Sequence, residues 1–554
     1  MSSASSIDSR VDDDAIEESA PLLNDDVESS IAPEELHSDS DDDLADAIED
    51  EELSSRALVT VFISLYVGIF LAALDSTIVA TLLAHIASEF NEFRSISWIA
   101  TGYMISLAAF QPLYGKISDI FGRKPVLIFC NIMFGLGSLL CGLAPNMWFL
   151  VFARVIAGCG GGGLFSLTSI TLSDIVPLRQ RGMLQGIGNV LYGCGAAFGG
   201  VAGGLITENF GWRWTFLSQC PIIALSLMAI YINLDLPVKQ IDSSKFKRID
   251  FLGSFTLVSS VVLFLFAISN PGDDYAPWTS PAVIFTFLLA LVFLIIFVYV
   301  ELRVAREPVI PLFLLKNRTV FGSSFTAWFM NMIYYSHIYY IAIYLISVQN
   351  VSATKSGSSL IPHFVGDALG SLVVGYYMRH TGRYFNMTVL AAFCMVLGSL
   401  LLCFVDMNTS RLLVMVIVFV PGFAIGLYLT ITLVALVAAV PREYQAVSTS
   451  IQFCFKGTGS TLGLSISTAV FQTVLATKLS SRITGPGAEE IISTVKGSID
   501  QVKVLPAEVQ DLVKQSYLDS VRAVMVTVTA MSIMCAGMSF LMKEHVLHDK
   551  ARRK

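Results

Sequence analysis

From Arg56 onward the chain is a succession of apolar runs, each close to the length a helix needs to cross a bilayer. A hydrocarbon core of about 30 Å takes about 20 helical residues. We read fourteen such runs, at 57–83, 96–115, 125–144, 148–172, 183–206, 212–235, 251–270, 280–301, 320–348, 357–378, 386–406, 411–437, 447–475 and 521–542. With 54% hydrophobic and only 14% charged residues, the chain falls outside the balance of most soluble enzymes. The expectation is an all-α integral membrane protein.

Charge is divided unevenly. Residues 1–55 hold 20 acidic residues against one base, Arg10, whereas the remainder holds 34 bases against 24 acids. The tail is rich in Ser, Asp and Glu and too poor in apolar residues to offset chain entropy, so a disordered tail is expected. It also lacks the basic and apolar regions of a secretory signal. If the tail is cytoplasmic, the inner loops and C-terminus collect 21 Lys/Arg, and the short outer connections hold four, Arg94, Arg213, Lys355 and Arg411. The positive-inside rule therefore puts both termini in the cytoplasm. An outer segment at 477–520 is long and polar. Its apolar residues (Ile491, Ile492, Val495, Ile499, Val509, Leu512 and Val513) recur at three or four, so short amphipathic helices on the membrane or capping the body are one reading and a loosely ordered loop is the other. All nine cysteines lie in apolar stretches, which argues for buried small hydrophobes rather than a disulfide framework.

The loops repeat. Gly115-Lys-Ile-Ser-Asp119-Ile-Phe-Gly122-Arg123 is echoed by Gly375-Tyr-Tyr-Met-Arg-His-Thr-Gly-Arg383, 260 residues on, and Pro177-Leu-Arg-Gln-Arg-Gly182 by Pro441-Arg-Glu-Tyr-Gln-Ala446, 264 residues on. Two six-helix halves around a two-helix insert account for both offsets, an arrangement in which a solute site lies between the halves near mid-membrane. The boundaries follow: an acidic tail 1–55, an N-terminal half 56–236, an insert with its flanking loops 237–318, a C-terminal half 319–545 and a basic tail 546–554. In the 115–124 loop, Asp119 stands four residues before Arg123, so the two can pair with each other or with helix ends of the opposite half and gate a rocking motion.

These residues carry a resemblance. Gly115–Lys124 is similar to the signature loop of the major facilitator superfamily, and Leu74-Asp75-Ser-Thr-Ile-Val79 resembles the first-helix motif of its fourteen-span drug:proton antiporter branch. Arg154-Val-Ile-Ala-Gly-Cys-Gly160 resembles the fourth-helix motif, and Trp212-Arg-Trp-Thr-Phe216 the entry to the sixth helix. Gly195, Gly199 and Gly203, with Gly204 beside the last, resemble the antiporter motif, although Gly200 stands where a proline is usual; small residues at this spacing also allow close helix packing in lipid. The resemblance spans about 57–545 and implies the major facilitator fold with fourteen transmembrane helices (6 + 2 + 6).

Ionisable residues inside spans cost about 2.5–3.5 kcal/mol each on insertion scales and tend to face cavities or partners. Asp75 and Asp367 are carboxylates that can take a proton from one side, release it to the other, or neutralise a bound cation, and Asp75 leads. Lys456 and His337 are further candidates, and the family likeness implies that Arg154 assists proton exchange. Around His337 lie Asn331, Tyr334, Tyr335, Tyr339 and Tyr340, whose rings can face a cationic solute.

The GxGxxG match at Gly158–Gly163 lies inside a span, without the strand before it that a dinucleotide site needs. Nothing calls for a metal, a nucleic acid or a cofactor; a proton gradient is the expected energy source. In the tail, Glu18, Leu22 and Leu23 fit an acidic dileucine signal for a sorting adaptor. With Leu74–Val79 and Gln111-Pro-Leu-Tyr-Gly-Lys116, this makes the chain resemble the fungal vacuolar basic-amino-acid permeases, a likeness that implies Lys, His or Arg moved into the vacuole against protons, with the bilayer, the solute and protons as partners. A plasma-membrane drug:proton exporter is the second reading and a non-transporting nutrient receptor the third.

Overall fold

The computed structural model describes residues 55–90, 97–234, 250–269, 280–305, 307–351, 353–483 and 507–545. The sorting sequence at Glu18, Leu22 and Leu23, the basic tail and the middle of the 477–520 segment lie outside them. All regular structure among the described residues is helical. The first half comprises α1 (Ser55–Phe90), α2 (Ser97–Phe121), α3 (Arg123–Gly142), α4 (Met147–Ile175), α5 (Leu178–Phe210) and the pair α6 (Trp212–Leu217) and α7 (Gln219–Asn233). Two helices follow, α8 (Phe251–Ser269) and α9 (Pro281–Arg303). The second half holds α10 (Arg318–Ser347), short α11 (Ala353–Ser359), α12 (Ile361–Thr381), α13 (Phe385–Cys403), α14 (Arg411–Ala438), α15 (Gln445–Arg482) and α16 (Ala507–Ser539).

Helix ends follow local chemistry. The Asn146 side chain accepts from Phe149 N at the start of α4, and those of Ser280 and Ser410 cap α9 and α14 in the same way. Gly122, at φ 94°, turns α2 into α3 where a side chain would be strained.

Among the described residues, eleven helical segments are long and apolar enough to cross a membrane. The fourteen expected spans exceed that number by α2, α10 and α12. These three fall short because each turns polar residues, among them Gln111, Asn331 and Asp367, toward the centre of the bundle.

Within the first half α1 packs on α5, and α4 on α2 and α3; within the second, α12 packs on α14 and α10 on α15. Each half has its own apolar core. A third cluster joins Leu257, Val261 and Leu265 of α8 to Ile105, Ala109 and Leu113 of α2 and to Val447 and Ile451 of α15, so the insert lies over the seam where the halves meet. Its α9 turns Phe285, Leu288, Leu291 and Ile295 outward, as a lipid-facing helix does.

The halves touch through the sequence repeat. A methyl group built on Gly115 would lie 2.6 Å from the Ala446 carbonyl oxygen, and one on Gly375 would lie 2.8 Å from the Gly182 carbonyl oxygen. Gly115 and Gly375 are related by the 260-residue offset, Gly182 and Ala446 by the 264-residue offset. The two contacts are therefore reciprocal copies, one on each side of a pseudo-two-fold axis. Gly186 adds to the second, 2.8 Å from the Ser371 carbonyl by the same construction.

At the opposite end α15 and α16 extend beyond their expected spans. Arg482 of α15 pairs with Asp519 of α16 at 2.7 Å. Val513, for which an amphipathic helix on the membrane or capping the body and a loose loop were both open, is helical and buried in the core of the second half along with Tyr517 and Leu518. Residues 507–520 are thus the start of α16, while Ile491, Ile492, Val495 and Ile499 lie outside the described residues. On the first half, Glu89 accepts from Trp212 Nε1 at 2.6 Å and pairs with Arg213 at 2.5 Å, tying the end of α1 to α6.

Two outcomes follow. Gly375→Val pushes α5 from α12, so hydrogen–deuterium exchange at 182–189 and 371–378 should quicken; unchanged exchange would mean that the contact does not hold the halves together. Burial alone would push the Glu89 carboxyl up, but the hydrogen bonds from Trp212 and Arg213 and the guanidinium charge outweigh it and hold the group below 4.5. A lowered folded value gives stability that is present above the unfolded value and lost as pH falls through the folded one. The difference in thermal stability between the natural protein and Glu89→Gln should therefore shrink as pH drops below about 4.5.

Candidate functional site

The centre of the bundle is a cavity of about 1100 Å³, including its open mouth, lined by α1, α2, α4 and α5 of one half and α10, α12, α14 and α15 of the other. Glycine sets the position of its walls. The Cβ positions of Gly366 and Gly370 on α12 fall against backbone atoms of Phe419 and Phe423 on α14, and those of Gly422 and Gly426 on α14 against the carbonyls of His363 and Asp367. The backbone of Asp367 is clamped by this contact. Its side chain is 3% exposed and lines the cavity, and its Oδ1 has no hydrogen-bond partner. Burying a polar atom unpaired costs about 1–3 kcal/mol, so this oxygen marks a place where a donor fits.

Lys456 of α15 lines the same cavity, its Nζ 4.9 Å from the centre of the Phe453 ring. Asp367 and Lys456 face the same cavity without forming an ion pair within 4 Å. Tyr334 and Tyr335 meet edge to face at 5.2 Å and both line the cavity. Tyr339 instead faces outward, and Tyr340 donates to Thr468 Oγ1 at 3.0 Å.

Asp75 and Arg154 lie elsewhere. They form an ion pair of 2.6 Å with 0% and 1% of their side chains exposed, and neither lines the cavity. Arg154 also stacks on the Tyr103 ring at 4.2 Å and donates to the Ile99 carbonyl at 3.4 Å. Gln219 of α7 donates to the second Asp75 oxygen at 3.5 Å. The antiporter-like glycines serve this pair: Gly195 and Gly199 of α5 press on Phe70, Leu74 and Thr77 of α1, on either side of Asp75. Gly203 is buried, whereas Gly204 meets nothing within 4 Å. The glycines of 158–163 sit inside α4, against Tyr103 and Ser106 of α2 and Cys130 and Phe134 of α3, and serve packing.

His337 does not line the cavity either. It is fully buried beside His363, their ring centres 6.3 Å apart, and bonds Ser399 Oγ at 3.3 Å. In the signature loop Arg123 pairs with Asp119 at 2.6 Å and with Asp174 of α4 at 2.7 Å, inside one half rather than across the halves. Lys116 reaches Glu307, in the loop that follows α9 of the insert, at 2.8 Å. The opposite half is met by Gly115 itself.

Sequence reading missed Gln185, Asn189, Tyr192 and His363. The first three line the cavity, and Asn189 donates to Ser371 Oγ at 3.1 Å across the halves. The available signal was a polar residue inside an apolar run, weaker than a charge. The contacts at Gly115, Gly182, Gly186 and Gly375 close the cavity on the signature-loop side. On the other side it shares Met104, Tyr335, Ser460 and Thr461 with a second space that runs on along α15 to Thr468 and Gln472.

The sequence pattern of the Major Facilitator Superfamily matches residues 65–464. The chain is 36% identical to Multidrug resistance protein fnx1 of Schizosaccharomyces pombe, over 91% of this chain and 96% of that one. It is 37% identical to the Vacuolar membrane amino acid uptake transporter fnx2 of the same organism, over 86% and 82%. Against Vacuolar basic amino acid transporter 1 of Saccharomyces cerevisiae the identity is 33%, over 76% and 79%.

The buried pair generates an outcome. Asp75→Asn and Arg154→Gln should each destabilise the protein by about 3–5 kcal/mol, because each strands a buried partner, and the double variant should cost less than the two together. Unfolding in mixed micelles measures the cycle; additive losses would mean that the two side chains are not coupled.

Proposed function

Because the chain belongs to the major facilitator superfamily, we propose that it is a proton-coupled antiporter that carries basic amino acids (Lys, His and Arg) from the cytoplasm into the vacuole. The observation that carries this reading is the Asp367 carboxylate, held in a central cavity with an oxygen that no protein group satisfies, beside the rings of Tyr334 and Tyr335. A carboxylate with aromatic faces suits an ammonium or guanidinium group.

In this reading all fourteen helical runs span the membrane and both termini are cytoplasmic. The signature-loop side is then the cytoplasmic one, and the halves, in contact there, are in the lumen-facing state. Proton linkage falls to Asp75 and Arg154. A proton on Asp75 cancels its charge and leaves Arg154 without a counter-charge in a dry site, which is unfavourable. Proton uptake therefore comes with a shift of α1 against α4 and α5, and the reset delivers the proton to the cytoplasm. The vacuolar address rests on the likeness to two vacuolar transporters and on the dileucine sequence at Glu18, Leu22 and Leu23, which suits a sorting adaptor.

A second reading, export of lipophilic drugs at the plasma membrane, is favoured by the apolar part of the cavity wall, Met104, Leu107, Phe165, Ile425 and Leu429, and by the likeness to a multidrug resistance protein. A fluorescent fusion separates the two by location.

Radiolabelled lysine uptake into ATP-energised vacuolar vesicles tests the main reading. Uptake should collapse with a protonophore and lose its pH dependence in Asp75→Asn. In Asp367→Asn it should fall by about tenfold or more, the scale of one lost charge-assisted hydrogen bond. Undiminished uptake by Asp367→Asn, or indifference to the protonophore, contradicts it.

A further inference from the structure

The cavity holds a base as well as an acid, and the base has no role in binding a cation. Lys456 is fixed by the packing of its own helix. The Cβ position of Gly457 lies 2.8 Å from Ala108 Cβ of α2, and that of Gly459 lies 2.5 Å from the Trp328 carbonyl oxygen of α10. Gly463 presses on Met332 one turn further along α10. With α15 wedged between α2 and α10, the Lys456 side chain leaves the backbone at a set place on one wall. Asp367 leaves from another wall, on the glycine-clamped face of α12. Both side chains line the one cavity, and no ion pair within 4 Å joins them.

A solute that is only a cation would satisfy Asp367 and be repelled by Lys456. One that is only an anion would do the reverse. A solute carrying both charges answers both walls, and a charged group is stabilised in a low-dielectric site only when its counterpart is present. We infer that the cavity takes its solute as a zwitterion, with Lys456 binding the α-carboxylate and Asp367 an ammonium or guanidinium group. A free carboxylate is then a condition of transport. This rests on the reading of the chain as a carrier of basic amino acids and narrows it: diamines, amino-acid esters and lipophilic monocations are rejected by Lys456.

The experiment uses purified full-length protein in liposomes with an imposed pH gradient and compares uptake of radiolabelled lysine with that of cadaverine, which is lysine without its carboxylate. Natural protein should favour lysine by about thirtyfold or more. Lys456→Gln should raise the lysine KM by about tenfold or more and bring the preference toward one, whereas Lys456→Arg should keep it. Cadaverine carried as well as lysine by the natural protein, which needs no variant to observe, overturns the inference and leaves amino-acid antiport standing. A lysine preference that persists undiminished in Lys456→Gln overturns it as well. No lysine movement at all by the natural protein overturns both readings together.

Discussion

A charge deep in a membrane protein needs an opposite charge within reach, and four side chains far inside this bundle meet that condition in two ways. Asp75 and Arg154 are in contact, sealed from water, and further held by Tyr103, Ile99 and Gln219. Asp367 and Lys456 face the same cavity and stand apart. The closed pair keeps its own balance, so it resists change unless a proton intervenes. The open pair is balanced only loosely, so it is responsive to what enters between. One half thus carries the closed pair and the other the open pair, and the cavity lies where the two halves meet.

That meeting is made of backbone more than of side chains. Where Gly115 lies on α15 and Gly375 on α5, carbonyls and Cα atoms of opposite halves come within distances that no side chain larger than hydrogen allows. Such contacts are short-ranged and have no charge to steer them, so they separate without the penalty of stripping an ion from its partner. Among the described residues, Asn189 with Ser371 and Thr430, Arg181 with Gln445, and Arg379 with Met183 Sδ add hydrogen bonds across the join. The ion pairs of the signature loop stiffen one half instead of bridging the two, which suits halves that move as bodies.

The all-helical fold and its repeat were legible because they are written in the periodic apolar runs and in offsets of 260 and 264 residues that any close reading finds. Asp367 and Lys456 were legible for the same reason, since a charge inside an apolar run stands out. Their partnerships were not. Nothing in one sequence says that Asp75 meets Arg154, 79 residues on, and so lies off the cavity, or that Tyr335 faces inward while Tyr339 faces out. Asn189, Tyr192 and His363 escaped notice because a single neutral or weakly basic group in a helix is common and cheap. The apolar repeat of Val509, Leu512 and Val513 was legible as helix or loop, but not that it continues without a break into α16 and that Val513 and Tyr517 turn into the core. The difference between eleven and fourteen apolar segments has a related origin, since the helices nearest the cavity give up hydropathy to line it.

The insert makes the two flanks of the bundle unequal. Along α2 and α15 the join is sheathed by α8, whose Leu257, Val261 and Leu265 fill the groove that acyl chains would otherwise occupy. Along α5 and α12 no such sheath exists among the described residues, and Phe198, Leu372 and Tyr376 turn outward. The groove between the halves is thus filled by protein on one flank and left to acyl chains on the other, so the two edges of one join meet the bilayer with different surfaces.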